Sequence, residues 1–280
     1  MEDLGKRRAL VEARLEEVLA DIDPPELSES IQHVTFAGGK RVRPTITLLS
    51  CEALGGATED AVDFAAGIEL VHTASLVVDD IIDESTVRRG VESAWAKFGT
   101  GPAIIASDGL LGEAFRLFSG EPKALTIVAN AMVELGQGEA VELVDRPTNE
   151  AEYRELARRK TGALFKAAAE LGAVAAGRDG AQIEAMGEYA ERVGIAFQMR
   201  DDVLDATAQE EVLGKPAGRD AQLERPSMIE VTDLSPAEAT QRAREESEAA
   251  LRALERVEPV DDDATSYLSE LATFVVERDR

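Results

Sequence analysis

The pattern Asp-Asp-x-x-Asp occurs twice in the 280-residue chain, as Asp79, Asp80 and Asp83 and again as Asp201, Asp202 and Asp205. On a helix, the outer carboxylates of each copy lie on one face, about one turn apart. Carboxylate oxygens are hard ligands, so two such faces across a cleft can hold divalent cations, and the cations can hold a diphosphate. Twenty aspartates placed at random give one such pattern in roughly one chain in ten and two in well under one in a hundred. Both copies sit among aliphatic residues, Val77, Val78, Ile81 and Ile82 in the first and Met199, Val203 and Leu204 in the second, which does not suit a solvated acidic stripe. Aspartate is also a poor helix former, and the first triad falls near a predicted helix C-terminus, the negative end of the helix dipole. A bound cation would offset that cost.

The basic groups are as informative as the acidic ones. The chain has 55 Asp+Glu against 30 Lys+Arg, a formal charge of −25, and only seven of the basic residues are Lys. Abundant acid with few lysines suits a high-salt habitat, where screening relieves self-repulsion. Against this background Gly38-Gly39-Lys40-Arg41-Val42-Arg43-Pro44 is a local reversal of sign after a flexible turn, as an anion site requires. Arg88-Arg89-Gly90 follows the first triad closely enough for a guanidinium to grip phosphate. Lys160 lies in Arg159-Lys160-Thr161-Gly162, and Lys215 in Gly214-Lys215-Pro216. His72, Ser75, Asp79 and Asp83 form one helical stripe, and Gln198 lies four residues before Asp202. No zinc pattern, P-loop, dinucleotide fingerprint or nucleophile elbow is present.

The elements that must position these groups read as helices almost throughout. Apolar residues recur with helical spacing over 8–20, 41–54, 58–84, 104–118, 123–143, 151–176, 181–205, 236–256 and 264–277, and glycines and prolines mark the breaks. Arg159 to Gly162 interrupts the pattern of 151–176, and no alternating strand run is found. One all-α domain spanning 1–280 is the simplest account. The acidic charge argues against nucleic acid as a partner. No stretch approaches 18 uncharged apolar residues, so no membrane span is expected. The charged N-terminus lacks a signal-peptide core, and the single Cys51 suits a reducing cytoplasm.

These pieces, in order along the chain, resemble the polyprenyl synthetase family of trans-isoprenyl diphosphate synthases. They are GGKRVRP (38–44), ELVHTASLVVDDIID with its RRG tail (69–90), GQ (136–137), KTG (160–162), GIAFQMRDDVLD (194–205) and GKPAGRD (214–220). The resemblance implies a single large helical bundle around a deep central cavity, usually a homodimer, and a magnesium-dependent condensation of isopentenyl diphosphate with an allylic diphosphate, with about three ions per site. By motif position Asp79, Asp83 and Asp201 are the leading magnesium ligands, supported by Asp80, Asp202 and Asp205. Arg88, Lys160 and Lys215 correspond to allylic diphosphate groups, with Thr161 and Gln198 along the path of the carbocation. Gly39, Lys40, Arg43, His72 and Arg89 correspond to the isopentenyl diphosphate site. Three positions depart from the pattern: Val78, Ser107 before Asp108, and Glu224-Arg225, where Gly-Lys is usual. Ala74 and Ser75, one turn below Asp79, stand where bulky residues would close the pocket floor. Both are small, so a product of twenty carbons or more is expected, with Leu111 and Phe115 as deeper stops. The competing readings are a longer-chain synthase, a class I terpene cyclase and a non-catalytic subunit of a heteromeric synthase.

Overall fold

The computed structural model of the chain describes residues 2–213 and 226–278. The elements in order are α1 (Glu2–Val18), α2 (Pro25–Thr35), α3 (Val42–Ala53), α4 (Thr58–Ile82), β1 (Val87–Arg88), β2 (Val91–Glu92), α5 (Ala94–Phe98), α6 (Thr100–Phe118), α7 (Pro122–Val144), α8 (Glu150–Ala157), a π-helical turn (Arg158–Gly162), α9 (Ala163–Ala175) and α10 (Gly180–Leu213). After residue 225 come α11 (Met228–Thr232), α12 (Pro236–Leu254) and α13 (Asp262–Glu277).

Helix starts follow from local chemistry. Ser235 and Glu238 form a capping box at α12: the Glu238 N–H donates to Ser235 Oγ (3.3 Å) and the Ser235 N–H to Glu238 Oε2 (2.9 Å). Asn149 caps α8 and Asp261 caps α13 with a single bond each, the side-chain oxygen accepting the N–H of Glu152 and of Ala264. Proline occupies the first turn of α2, α7 and α12, where its missing N–H costs nothing. This explains α2, which the Pro24-Pro25 break conceals in the sequence.

The elements differ from the sequence reading in several places. The region 151–176 is three elements, and the interruption at Lys160 is a π turn. α10 continues to Leu213, so the second triad lies inside a helix and away from its C-terminus. Residues 87–92 form a small antiparallel hairpin with Val87 opposite Glu92. α1 and α6 begin several residues earlier than their apolar spacing indicates.

α4 is the centre of the bundle, packed against α3, α6 and α9, while α10 packs on α9 and α12. The seams are rich in alanine: Ala65, Ala66, Ala167, Ala168, Ala169, Ala190 and Ala196 are fully buried, which lets backbones approach closely. α4 is long and apolar enough to cross a membrane by length and composition alone, but 61% of that stretch is buried inside the bundle, as a core helix requires. Glu69 interrupts its apolar run, so α4 contains no uncharged stretch of spanning length.

Candidate active site

α4 and α10 bring the two aspartate motifs to one cavity of ≈ 640 Å³. Asp79 and Asp201 line it together with Gly39, Lys40, Arg43, His72, Arg88, Arg89, Lys160, Thr161 and Gln198. Eleven of the sequence-predicted groups besides Asp79, Ser75 among them, therefore open on a single space, and Leu76, Leu135, Leu164, Phe165 and Phe197 supply its apolar wall.

One side of the cavity is cationic. The hairpin turns at Arg89 (φ 54°) and Gly90 (φ 83°), both left-handed, as a two-residue type I′ loop demands. The turn aims Arg89 at the loop before α3, where its Nη1 donates to the carbonyl of Gly38. A Cβ at Gly39 would stand 2.6 Å from that Nη1, and Gly39 has φ +135°, so a side chain there meets both strain and a clash. Arg43 stacks over Phe165 at 4.7 Å and donates from Nη1 to His72 Nε2 at 3.0 Å. Arginine has no acceptor, so His72 Nε2 accepts and the imidazole is neutral. Burial, followed by the charges of Arg43 and Arg89, holds His72 well below the usual histidine range. Burial also pulls Arg43 down to about 10, against the opposing pull of Glu69, and it stays charged at neutral pH.

The opposite side is built by the π turn. Its widened geometry turns Lys160 and Thr161 inward, and π turns of this kind recur at functional sites. Lys160 Nζ pairs with Glu142 Oε2 (2.5 Å) and Glu139 Oε1 (3.3 Å), both from α7. A diphosphate reaching Lys160 must compete with these carboxylates.

The remaining predicted groups divide. Asp80 is buried and its Oδ1 accepts from Arg88 Nε (2.9 Å) and Nη2 (2.6 Å), so Arg88 reaches the cavity while anchored to the motif. Asp83 is the C-cap of α4 and Asp205 is exposed, and neither lines the cavity. Asp202 is 4% exposed, and both of its oxygens accept from protein donors. So held, Asp202 lines a small side cavity and not the main one. Ser75 faces the cavity, whereas Ala74 does not line it. Ala74 packs at the α4–α6 seam, its carbonyl accepting from Ser107 Oγ at 3.1 Å. Leu111 and Phe115 on α6 also lie outside the cavity lining. Lys215, Glu224 and Arg225 lie outside the described residues.

Several further residues contribute to the site. Arg41, read from the sequence as one cation of an anion loop, is 3% exposed and pairs with Glu69 at 2.6 Å while donating to Thr35 O at 2.7 Å. Breaking such a buried pair costs about 3–5 kcal/mol. Arg278 stacks on Phe197 at 4.1 Å and pairs with Asp201. Its chain position, near the C-terminus, gave no signal. Glu139 and Glu142 were visible only as an i, i+3 pair beside GQ.

Among the described residues no three acidic, histidine or cysteine side chains converge on one point. Paired carboxylate faces of this kind fit magnesium, which takes one or two carboxylates and completes its shell with phosphate oxygens and water. An all-α bundle with aspartates and basic groups around one cavity defines a helical enzyme for diphosphate substrates. The Polyprenyl synthetase family profile matches residues 24–264. A geranylgeranyl diphosphate synthase of Methanosarcina mazei is 34% identical over 99% of this chain and 89% of its own length. The solved geranylgeranyl pyrophosphate synthetase of Geoglobus acetivorans superposes with a TM-score of 0.84 at 33% identity, over 99% of this chain and 98% of that one. A decaprenyl diphosphate synthase from Rhodobacter capsulatus superposes at 0.90 with 29% identity, over 100% and 98%. The chain belongs to the polyprenyl synthetase family and is a prenyltransferase of the trans-isoprenyl diphosphate synthase type.

Proposed function

We propose that the chain condenses isopentenyl diphosphate with an allylic diphosphate to give geranylgeranyl diphosphate and pyrophosphate, as a cytoplasmic homodimer with about three magnesium ions per site. The observation that carries the reading is the meeting of Asp79 and Asp201 at one cavity, with two separate basic clusters. Lys40, Arg43 and Arg89 hold the diphosphate of isopentenyl diphosphate, with Gly39 leaving room for it and neutral His72 adding no further charge. Arg88, Lys160 and Lys215 hold the allylic diphosphate. Asp79 and Asp201, with Asp83 and Asp205, hold magnesium, which when bound spreads the charge of the departing pyrophosphate. Thr161 and Gln198 present oxygens along the path between the two substrates, and the apolar wall keeps water from the reacting carbons.

Product length follows from side-chain volume. Ser75 faces the cavity one turn below Asp79, and its small side chain supports a path that continues past the length of a fifteen-carbon product. The fold alone does not set the length, since a geranylgeranyl and a decaprenyl synthase both superpose on this chain. The test is incubation of the protein with magnesium, labelled isopentenyl diphosphate and each allylic primer. Geranylgeranyl diphosphate should accumulate with stoichiometric pyrophosphate, and Asp79→Asn and Asp201→Asn should each lose about a thousandfold in kcat. Hydrocarbon products, or none, would overturn the reading.

A further inference from the structure

Tyr153 lies outside every motif that marks the family, yet its hydroxyl ends inside the second aspartate triad. It is buried on α8 and donates to Asp202 Oδ2 at 2.5 Å. The same oxygen accepts the N–H of Met228, the first residue of α11, at 2.8 Å. Asp202 Oδ1 accepts from Gln198 Nε2 at 3.0 Å. A carboxylate offers about four lone-pair positions. At least three of these are taken by protein donors, and Asp202 lines a small side cavity instead of the main one.

This chain of hydrogen bonds has a direction. Ionised Asp202 can only accept, so it fixes the Gln198 amide with Nε2 toward itself and Oε1 toward Thr161. Gln198 Oε1 can only accept as well, so the Thr161 hydroxyl proton is committed to it, at 2.8 Å. Thr161 Oγ1 then turns lone pairs, and no proton, to its other side, and Thr161 lines the main cavity. We propose that Tyr153, acting through Asp202, is a positioning residue that orders this network so that the cavity meets an electron-rich threonine oxygen. The inference rests on the proposed function: an allylic cation at that wall is stabilised by a lone pair and repelled by an O–H dipole. Each bond polarises the next, so the charge on Asp202 strengthens the effect at Thr161.

Tyr153→Phe removes the donor and keeps the ring in its buried seat. Its circular dichroism and melting should stay close to those of the unmodified protein. KM for both substrates, and Mn²⁺ affinity read by electron paramagnetic resonance with inorganic pyrophosphate, should hold within about twofold while kcat falls about tenfold, the worth of one hydrogen bond. Asp202→Asn carries the test should Tyr153→Phe fail to fold. It should lower kcat by about a hundredfold, since an amide can present its NH₂ to Gln198 and reverse the order, yet change Mn²⁺ affinity less than about threefold. Asp201→Asn should lose more than about tenfold in the same Mn²⁺ titration. An unchanged kcat in Tyr153→Phe, or a Mn²⁺ loss in Asp202→Asn equal to that in Asp201→Asn, overturns the proposal. A failure of the proposed function shows separately, as absence of turnover in the unmodified protein, and the Mn²⁺ comparison then decides the role of Asp202 by itself.

Discussion

Gly39 shows how closely single residues are fitted here. Its φ of +135° and the 2.6 Å between a built Cβ and Arg89 Nη1 mean that Gly39→Ala must move the arginine or the loop. The loop is at the surface of the bundle, so the cost falls on binding. KM for isopentenyl diphosphate should rise about tenfold with a small change in melting temperature, measured by steady-state kinetics and thermal denaturation. The aspartates, Lys40, Arg43, Arg89, Lys160, Thr161 and Gln198 were legible because their spacing and local charge stand out from the background. Tyr153, Glu69 and Arg278 were not, because each acts on a partner 49, 28 or 77 positions away. The same distinction separates Asp202 from Asp201: adjacent in sequence and alike in type, they point to different neighbours, and only the packing of α8 and α11 around Asp202 reveals its role.

At the scale of elements, helical periodicity located the long helices, while side-chain orientation around them had to come from packing. Ala74 and Ser75 are consecutive, about 100° apart on α4, and only Ser75 faces the cavity. Ser75→Phe should therefore shorten the product by at least one five-carbon unit in a radiolabelled chain-length assay. Ala74→Phe should shorten it only together with a fall in melting temperature, because the new ring overpacks the α4–α6 seam by about 1–3 kcal/mol. A second element-level prediction concerns the α9–α10 contact, where Glu170 packs on Gly187. Burial pushes the Glu170 carboxyl up to about 7; Lys166 opposes this, and Glu191, Glu134 and Glu184 add to it. A carboxyl whose folded pKa exceeds its unfolded value near 4.5 binds more protons folded than unfolded, so its contribution to stability falls as pH rises from 4.5 to about 7. Glu170→Gln should melt higher than the unmodified protein at pH 8, with the gap closing toward pH 4.5, by differential scanning calorimetry.

At the scale of the whole molecule, two properties oppose one another. α6 and α7 present Ile104, Ile105, Phe115, Leu125, Val133 and Leu143 to solvent, from 38% to 59% exposed, on helices that otherwise pack into the bundle. Apolar surface of this kind on neighbouring helices favours pairing with a second copy. Each copy, however, brings a formal charge of −25. Like charges beyond about 10 Å repel strongly at low ionic strength and are screened at about 0.1 M and above, while apolar contact is not weakened by salt. The association should therefore be salt-dependent in the direction opposite to that of an ion-paired interface. Raising KCl from about 0.05 M to about 2 M should move the protein from monomer to dimer in sedimentation velocity and raise its melting temperature. Ile105→Glu should hold it monomeric at the high salt concentration. A dimer that tightens as salt is removed would place the contact among the charged residues and not on this face.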